Sequence, residues 1–125
     1  TLGFCLHITK ETSVLLMGVK ELGANVACCG GNPLTTQDDI AAFLASQGIH
    51  TYCWAGQSPK EYDWCIQQVL NHKPQILTDD GSNMNIKANF DKNKIHCHRI
   101  PPYRCKLRII HSGSTPIGQS CGINH

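Results

Sequence analysis

Hydrophobic positions along the chain fall alternately into short continuous runs and helical stripes. Residues 4–8 (FCLHI) are the first run. Leu15, Gly18, Val19 and Leu22 then recur at i, i+3, i+4 and i+7, which predicts an amphipathic helix ended by Gly23. NVACCGG (25–31) predicts a buried strand. TTQDDIAAFLASQG (35–48) opens on Thr35-x-x-Asp38, a capping-box-like pattern, takes its stripe from Ile40, Phe43 and Leu44, and closes at Gly48. HTYCW (50–54) predicts the next strand. Ser58, Pro59 and Glu61 write a helix start, with Tyr62, Cys65, Ile66 and Val69 along its apolar face. His72, Lys73 and Pro74 end that helix, and QILTD (75–79) supplies a fourth strand. The order β-α-β-α-β-α-β with connections of ordinary length predicts an α/β fold. It is a parallel, Rossmann-like sheet with helices on both faces.

The pattern fades after Asp80. GSNMNIKANF offers a thin helical stripe with Ser82 as its cap, and from Asp91 onward no period persists and Pro101-Pro102 breaks the chain. A boundary near residue 90 separates an α/β domain (1–90) from an irregular, basic tail (91–125). The packed core is expected within residues 4–80, with the tail adding little to it.

A chain of 125 residues and 13.8 kDa suits one domain. With 41% hydrophobic and 16% charged residues it is not of a disordered class. No apolar run approaches the roughly 20 residues of a membrane span, so no membrane partner is expected. The net charge of +2 hides a split: residues 1–90 hold five Lys/Arg against eight Asp/Glu, whereas 91–125 hold six against one. A basic tail can meet an acidic partner. Only Tyr103 offers a stacking ring there, however, so no nucleic-acid partner is expected. Of eight cysteines the first five lie in apolar runs, as buried thiols of a reducing, cytoplasmic compartment do. The chain opens on Thr1 without the order of a signal peptide, as a processed or truncated chain would.

Ligands of parallel sheets bind at the carboxyl ends of the strands, and the unusual polar residues fall there. The first strand runs into His7, Thr9 and Glu11, the second into Asn32, the third into Gly56 and Gln57, and the fourth into Asp79-Asp80-Gly81. Thr9 and Thr35 also read as helix N-caps, Glu11 as a complement to a helix dipole, and Asp38 and Asp39 as cap residues. His7 needs a partner or a cleft, and paired carboxylates are costly to bury without a role. Gly30-Gly31 is not a dinucleotide fingerprint, because no third glycine follows and a proline turn does. A G-x-S-x-G elbow is also missing from the sequence.

LHITKET (6–12), GNPLTTQDD (31–39), EYDWCIQQVL (61–70) and ILTDDGS (76–82) together resemble the substrate-binding domain of the adenosylhomocysteinase family, in its order and spacing, over residues 2–90. The resemblance implies NAD-dependent cleavage of S-adenosylhomocysteine to adenosine and homocysteine by a homo-oligomer. Bound NAD oxidises the ribose 3′-hydroxyl, homocysteine is eliminated, water adds, and the ketone is reduced again. By motif, His7 and Asp80 are the acid/base candidates, Thr9 and Glu11 meet adenine, and Asn32 lines the homocysteine side. Glu11 accepting from an exocyclic amine would favour adenosine over inosine.

The family's E-E-T-T-x-G element, its ribose lysine and aspartate, and its Gly-rich NAD domain have no counterpart in the 125 residues. That is the expectation for a fragment whose end is frameshifted or misspliced. Two other readings stand beside it. One is a non-catalytic adenosine-binding module. The other is a zinc site from His96, Cys97, His98, Cys105, His111, Cys121 and His125, whose spacings match no standard zinc pattern.

Overall fold

The structure, a computed structural model, describes residues 1–90, 96–99 and 106–111, with side chains through residue 89. Strands β1 (Leu2–Leu6), β2 (Val26–Gly30), β3 (His50–Tyr52) and β4 (Ile76–Asp79) alternate with helices α1 (Lys10–Glu21), α2 (Asp38–Ser46) and α3 (Pro59–Asn71). Helix α4 (Asn83–Phe90) follows, then β5 (His96–Arg99) and β6 (Lys106–His111). The sheet order is β3-β2-β1-β4-β6-β5. The first four strands pair in parallel, as the alternation predicts. Strand β6 adds antiparallel to β4, and β5 antiparallel to β6, in a segment where no strand is expected from the hydrophobic pattern. The expectations for the rest of 91–125 lie outside the described residues, as do all side chains of the zinc cluster, of which only the backbone of His96, Cys97, His98 and His111 is described. So does the order of that tail.

Although β1 and β2 read as unbroken apolar runs, their side chains alternate between two cores. Phe4, Leu6, Val26 and Cys28 face α1 and α2, where they meet Leu16, Ala41 and Leu44. Cys5, Ala27 and Cys29 face the other way, toward Cys65, Ile66 and Val69 of α3 and Met84 and Ala88 of α4. The core therefore extends through α4, eight residues past the predicted limit. All five cysteines of this region are buried and free.

Helix α3 is built as its sequence predicts. The Ser58 hydroxyl accepts from the Glu61 amide and the Glu61 carboxylate from the Ser58 amide, with Pro59 at the first helical position. Three other local expectations are corrected. The buried stripe of α1 is Ser13 and Leu16, while Leu15 is 48% and Leu22 89% exposed. Ser13 can be buried because its hydroxyl donates to the Lys10 carbonyl, 2.6 Å away. Fully burying a leucine contributes roughly 1.5–3 kcal/mol, so Leu16, not Leu15, anchors the helix. Helix α2 likewise buries Ala41 and Leu44 and leaves Phe43 exposed. It starts at Asp38 behind Gln37, because Thr35 is engaged in the preceding turn. Ser82 precedes α4 at φ 66°, and the buried Asp79 carboxylate accepts from the amides of Ser82 and Asn85 at the start of that helix. No helix among the described residues is long and apolar enough to cross a membrane.

Candidate functional site

The chain steps outward from β1 to β2 to β3, then crosses back to lay β4 on the other side of β1. In a doubly wound sheet the crevice forms where the order reverses, outside the carboxyl ends of the two strands. Here those strands are β1 and β4, and the residues directly beyond them include His7 and Asp80.

His7 is exposed, and its Nδ1 lies 2.6 Å from the Thr35 hydroxyl. That hydroxyl donates to the Asn32 carbonyl at 3.1 Å. With its only proton committed there, it accepts from Nδ1–H, so the ring is held by its Nδ1 edge. The His7 carbonyl accepts from the Thr12 hydroxyl at 2.6 Å, and the neighbouring Ile8, fully buried, roots the loop in the core.

The two aspartates separate into different roles. Asp79 is fully buried, its Oδ1 accepting from the Gly81 and Ser82 amides and its Oδ2 from the Asn85 amide, at 2.9–3.1 Å. Three amide donors replace the water such a carboxylate loses. Asp80 is exposed, and its amide continues the ladder to the Cys5 carbonyl at 3.1 Å.

Thr9 stands at the N-cap of α1 without a side-chain cap bond. Its hydroxyl instead meets the exposed Glu11 carboxylate, whose pKa is lowered first by a backbone amide and then by that hydroxyl. Glu11 is therefore an anion and pure acceptor at neutral pH. Asn32 spends its Oδ1 on the Leu34 amide at 2.8 Å, closing the turn that holds Thr35. Asp38, read as a cap, reaches the Ala55 amide at 2.8 Å and ties α2 to the loop after β3.

Tyr62 escaped the sequence reading, which counted it only as part of a core stripe. Its hydroxyl donates to the Gly31 carbonyl at 3.1 Å and accepts from Asn83 Nδ2 at 3.2 Å. The available signal was its position, in the first turn of a helix that starts at the same sheet edge. No cluster of His, Cys, Asp or Glu suited to a metal ion exists among the described residues.

Comparison with known protein families matches residues 2–101 to S-adenosyl-L-homocysteine hydrolase. The chain belongs to that family. The match runs past the predicted boundary near residue 90. Among curated relatives, the adenosylhomocysteinase of Sulfolobus acidocaldarius is 46% identical over 84 residues, covering 67% of this chain and 20% of its own. That of Pyrobaculum aerophilum is 49% identical over 80 residues, covering 64% and 18%. The S-inosyl-L-homocysteine hydrolase of Methanocaldococcus jannaschii is 45% identical over 84 residues, with coverage of 67% and 20%. The chain thus spans about a fifth of the length of the relatives it matches.

The family resemblance implies NAD, and the described residues do not fit its diphosphate. A diphosphate cradle needs glycines open to the ligand and a free helix N-terminus. A Cβ on Gly30 would lie 2.9 Å from the Thr36 hydroxyl, and one on Gly31 would lie 3.1 Å from the Leu6 carbonyl carbon. The chain itself fills both places. Each helix start also carries a carboxylate of its own: Glu11, Asp38 with Asp39, Glu61, and Asp79 beneath α4.

Proposed function

We propose that this chain forms the nucleoside-binding side of an S-adenosylhomocysteine-cleaving site, with adenosine and homocysteine as the products. His7 and Asp80 are its acid/base pair, Thr9 and Glu11 meet the adenine, and Asn32 lines the homocysteine side. One observation carries the reading. At the reversal of strand order, His7 and Asp80 are left exposed, whereas their neighbours Ile8 and Asp79 are consumed by the fold. Elimination and water addition need a proton acceptor and a proton donor at one carbon, and two such groups on adjacent strands suit that task.

The relatives include both adenosyl- and inosyl-homocysteine hydrolases at nearly equal identity, so the base is chosen by local chemistry. An ionised Glu11 can accept from the exocyclic amine of adenine and finds no such donor on the 6-oxo edge of inosine. Adenosine is therefore the preferred base. The unpaired state of five buried thiols supports a reducing, cytoplasmic setting.

These residues alone do not complete the reaction. Without oxidation at the ribose the proton to be removed is far too weakly acidic, and general acid/base catalysis supplies only about 10²–10⁴-fold. The 125-residue chain is then an adenosine binder without turnover. Calorimetry should show adenosine bound more tightly than inosine, with Glu11→Gln erasing the difference. Incubation with S-adenosylhomocysteine and NAD should release no homocysteine. Release that disappears in His7→Ala would overturn the claim of no turnover, and equal binding of the two nucleosides in the unaltered chain would overturn the role of Glu11.

A further inference from the structure

We propose that the Tyr62 hydroxyl is a positioning group for this site, holding the loop that carries Asn32 and Thr35 in register with the end of β1. The role of that loop in nucleoside binding rests on the function proposed above; the contacts do not.

The Tyr62 ring packs against the α3/α4 core, so the ring is placed whether or not it carries a hydroxyl. The hydroxyl reaches three segments. It donates to the Gly31 carbonyl, just past β2, and accepts from Asn83 at the start of α4, just past β4. Cys5 Sγ of β1 lies 3.8 Å away. Strands β2 and β4 flank β1 on opposite sides, so this single oxygen links the loops on both sides of the strand that leads into His7.

Gly31 is where the link acts. Its amide donates to the Leu6 carbonyl at 2.7 Å, and a Cβ there would meet the Leu6 carbonyl carbon at 3.1 Å and the His7 nitrogen at 3.3 Å. The peptide is pressed against the end of β1 from one side and held by Tyr62 at its carbonyl. Asn32 follows directly and starts the turn whose Thr35 hydroxyl holds the His7 ring. Tyr62 thus acts on His7 through Gly31, Asn32 and Thr35, without touching it. A phenylalanine would fill the same volume and lose this control.

The test is amide hydrogen exchange and histidine-ring NMR on the whole 125-residue chain with Tyr62→Phe. The amides of Gly31, Leu34, Thr35 and Gln37 each have a bond in this loop or to its anchors. They should exchange about tenfold faster in the variant, while core amides of β1 and β2 keep their rates. The His7 ring should lose its single Nδ1–H form, and adenosine affinity should fall about tenfold. If Tyr62→Phe does not fold, Asn83→Ala removes the bond on the α4 side and is read the same way, with a smaller acceleration expected. Unchanged loop exchange, or equal acceleration of every amide, would overturn the proposal. Should the unaltered chain fail to bind adenosine, the nucleoside reading falls, and the exchange and ring measurements alone decide the role of Tyr62.

Discussion

At the carboxyl end of the sheet His7 stands exposed, its Nδ1 meeting the Thr35 hydroxyl. At the amino end His72 is stacked on His50 with ring centroids 4.3 Å apart, and its Nε2 lies 2.8 Å from the Tyr52 hydroxyl. Burial, followed by the neighbouring His50, lowers the pKa of His72. Trp64 packs edge-on against Tyr52 and closes the cluster. The same side chain is an exposed ring at one end and a packed structural ring at the other. Strand polarity sets the difference. His7 lies where a strand runs out toward a helix and its ring faces outward, while His72 lies where a helix returns to a strand and its ring packs on His50 and Tyr52.

This contrast can be broken most forcefully at the carboxyl end, between adjacent aspartates. Asp79→Ala removes the acceptor of three amides and should cost about 3 kcal/mol in urea unfolding. Asp80→Ala should stay within about 0.5 kcal/mol, as an exposed substitution does. Comparable losses for the two would mean that Asp80 also holds the fold. At the amino end, Tyr52→Phe leaves His72 without its hydroxyl partner and should cost about 1 kcal/mol by the same measurement.

A smaller effect follows from pH. Because the folded chain holds the His72 pKa below its ordinary value of 6.5, the unfolded chain takes up the proton first on acidification. Stability from this group is therefore complete above about pH 6.5 and is lost as the pH falls toward the lowered folded value. His72→Phe should flatten the fall in unfolding free energy between roughly pH 7 and 5.5. The least effect on stability is expected from Glu11→Gln, whose thermal midpoint should match that of the unaltered chain. Its change belongs in the adenosine-to-inosine affinity ratio.

Much of the fold was legible because its signals are local. Ser58, Pro59 and Glu61 fix the start of α3 with no help from distant residues, and the alternation of runs and stripes suffices for a parallel sheet. The stripe of α1 was misphased because Ser13 is buried through a bond to its own helix, which hydrophobic periodicity cannot register. The positions of His7, Asn32 and Asp80 at strand ends followed from the same alternation. The division of labour between Asp79 and Asp80 did not, since it depends on which residue the end of β4 turns into the core. Tyr62 stayed hidden for a related reason: its ring belongs to the core stripe, and only its last atom reaches the loops.

The carboxylates at the helix starts have a consequence for competition. A cell offers far more phosphorylated adenosine than free nucleoside, and both carry the same base and sugar. A phosphate approaching this edge meets Glu11, Asp38, Asp39 and Glu61 where a nucleotide-binding fold would present bare amides. Like-charge repulsion then opposes the approach of a phosphate to this edge. By satisfying its own helix ends, the domain acquires a charge filter that needs no pocket of special shape.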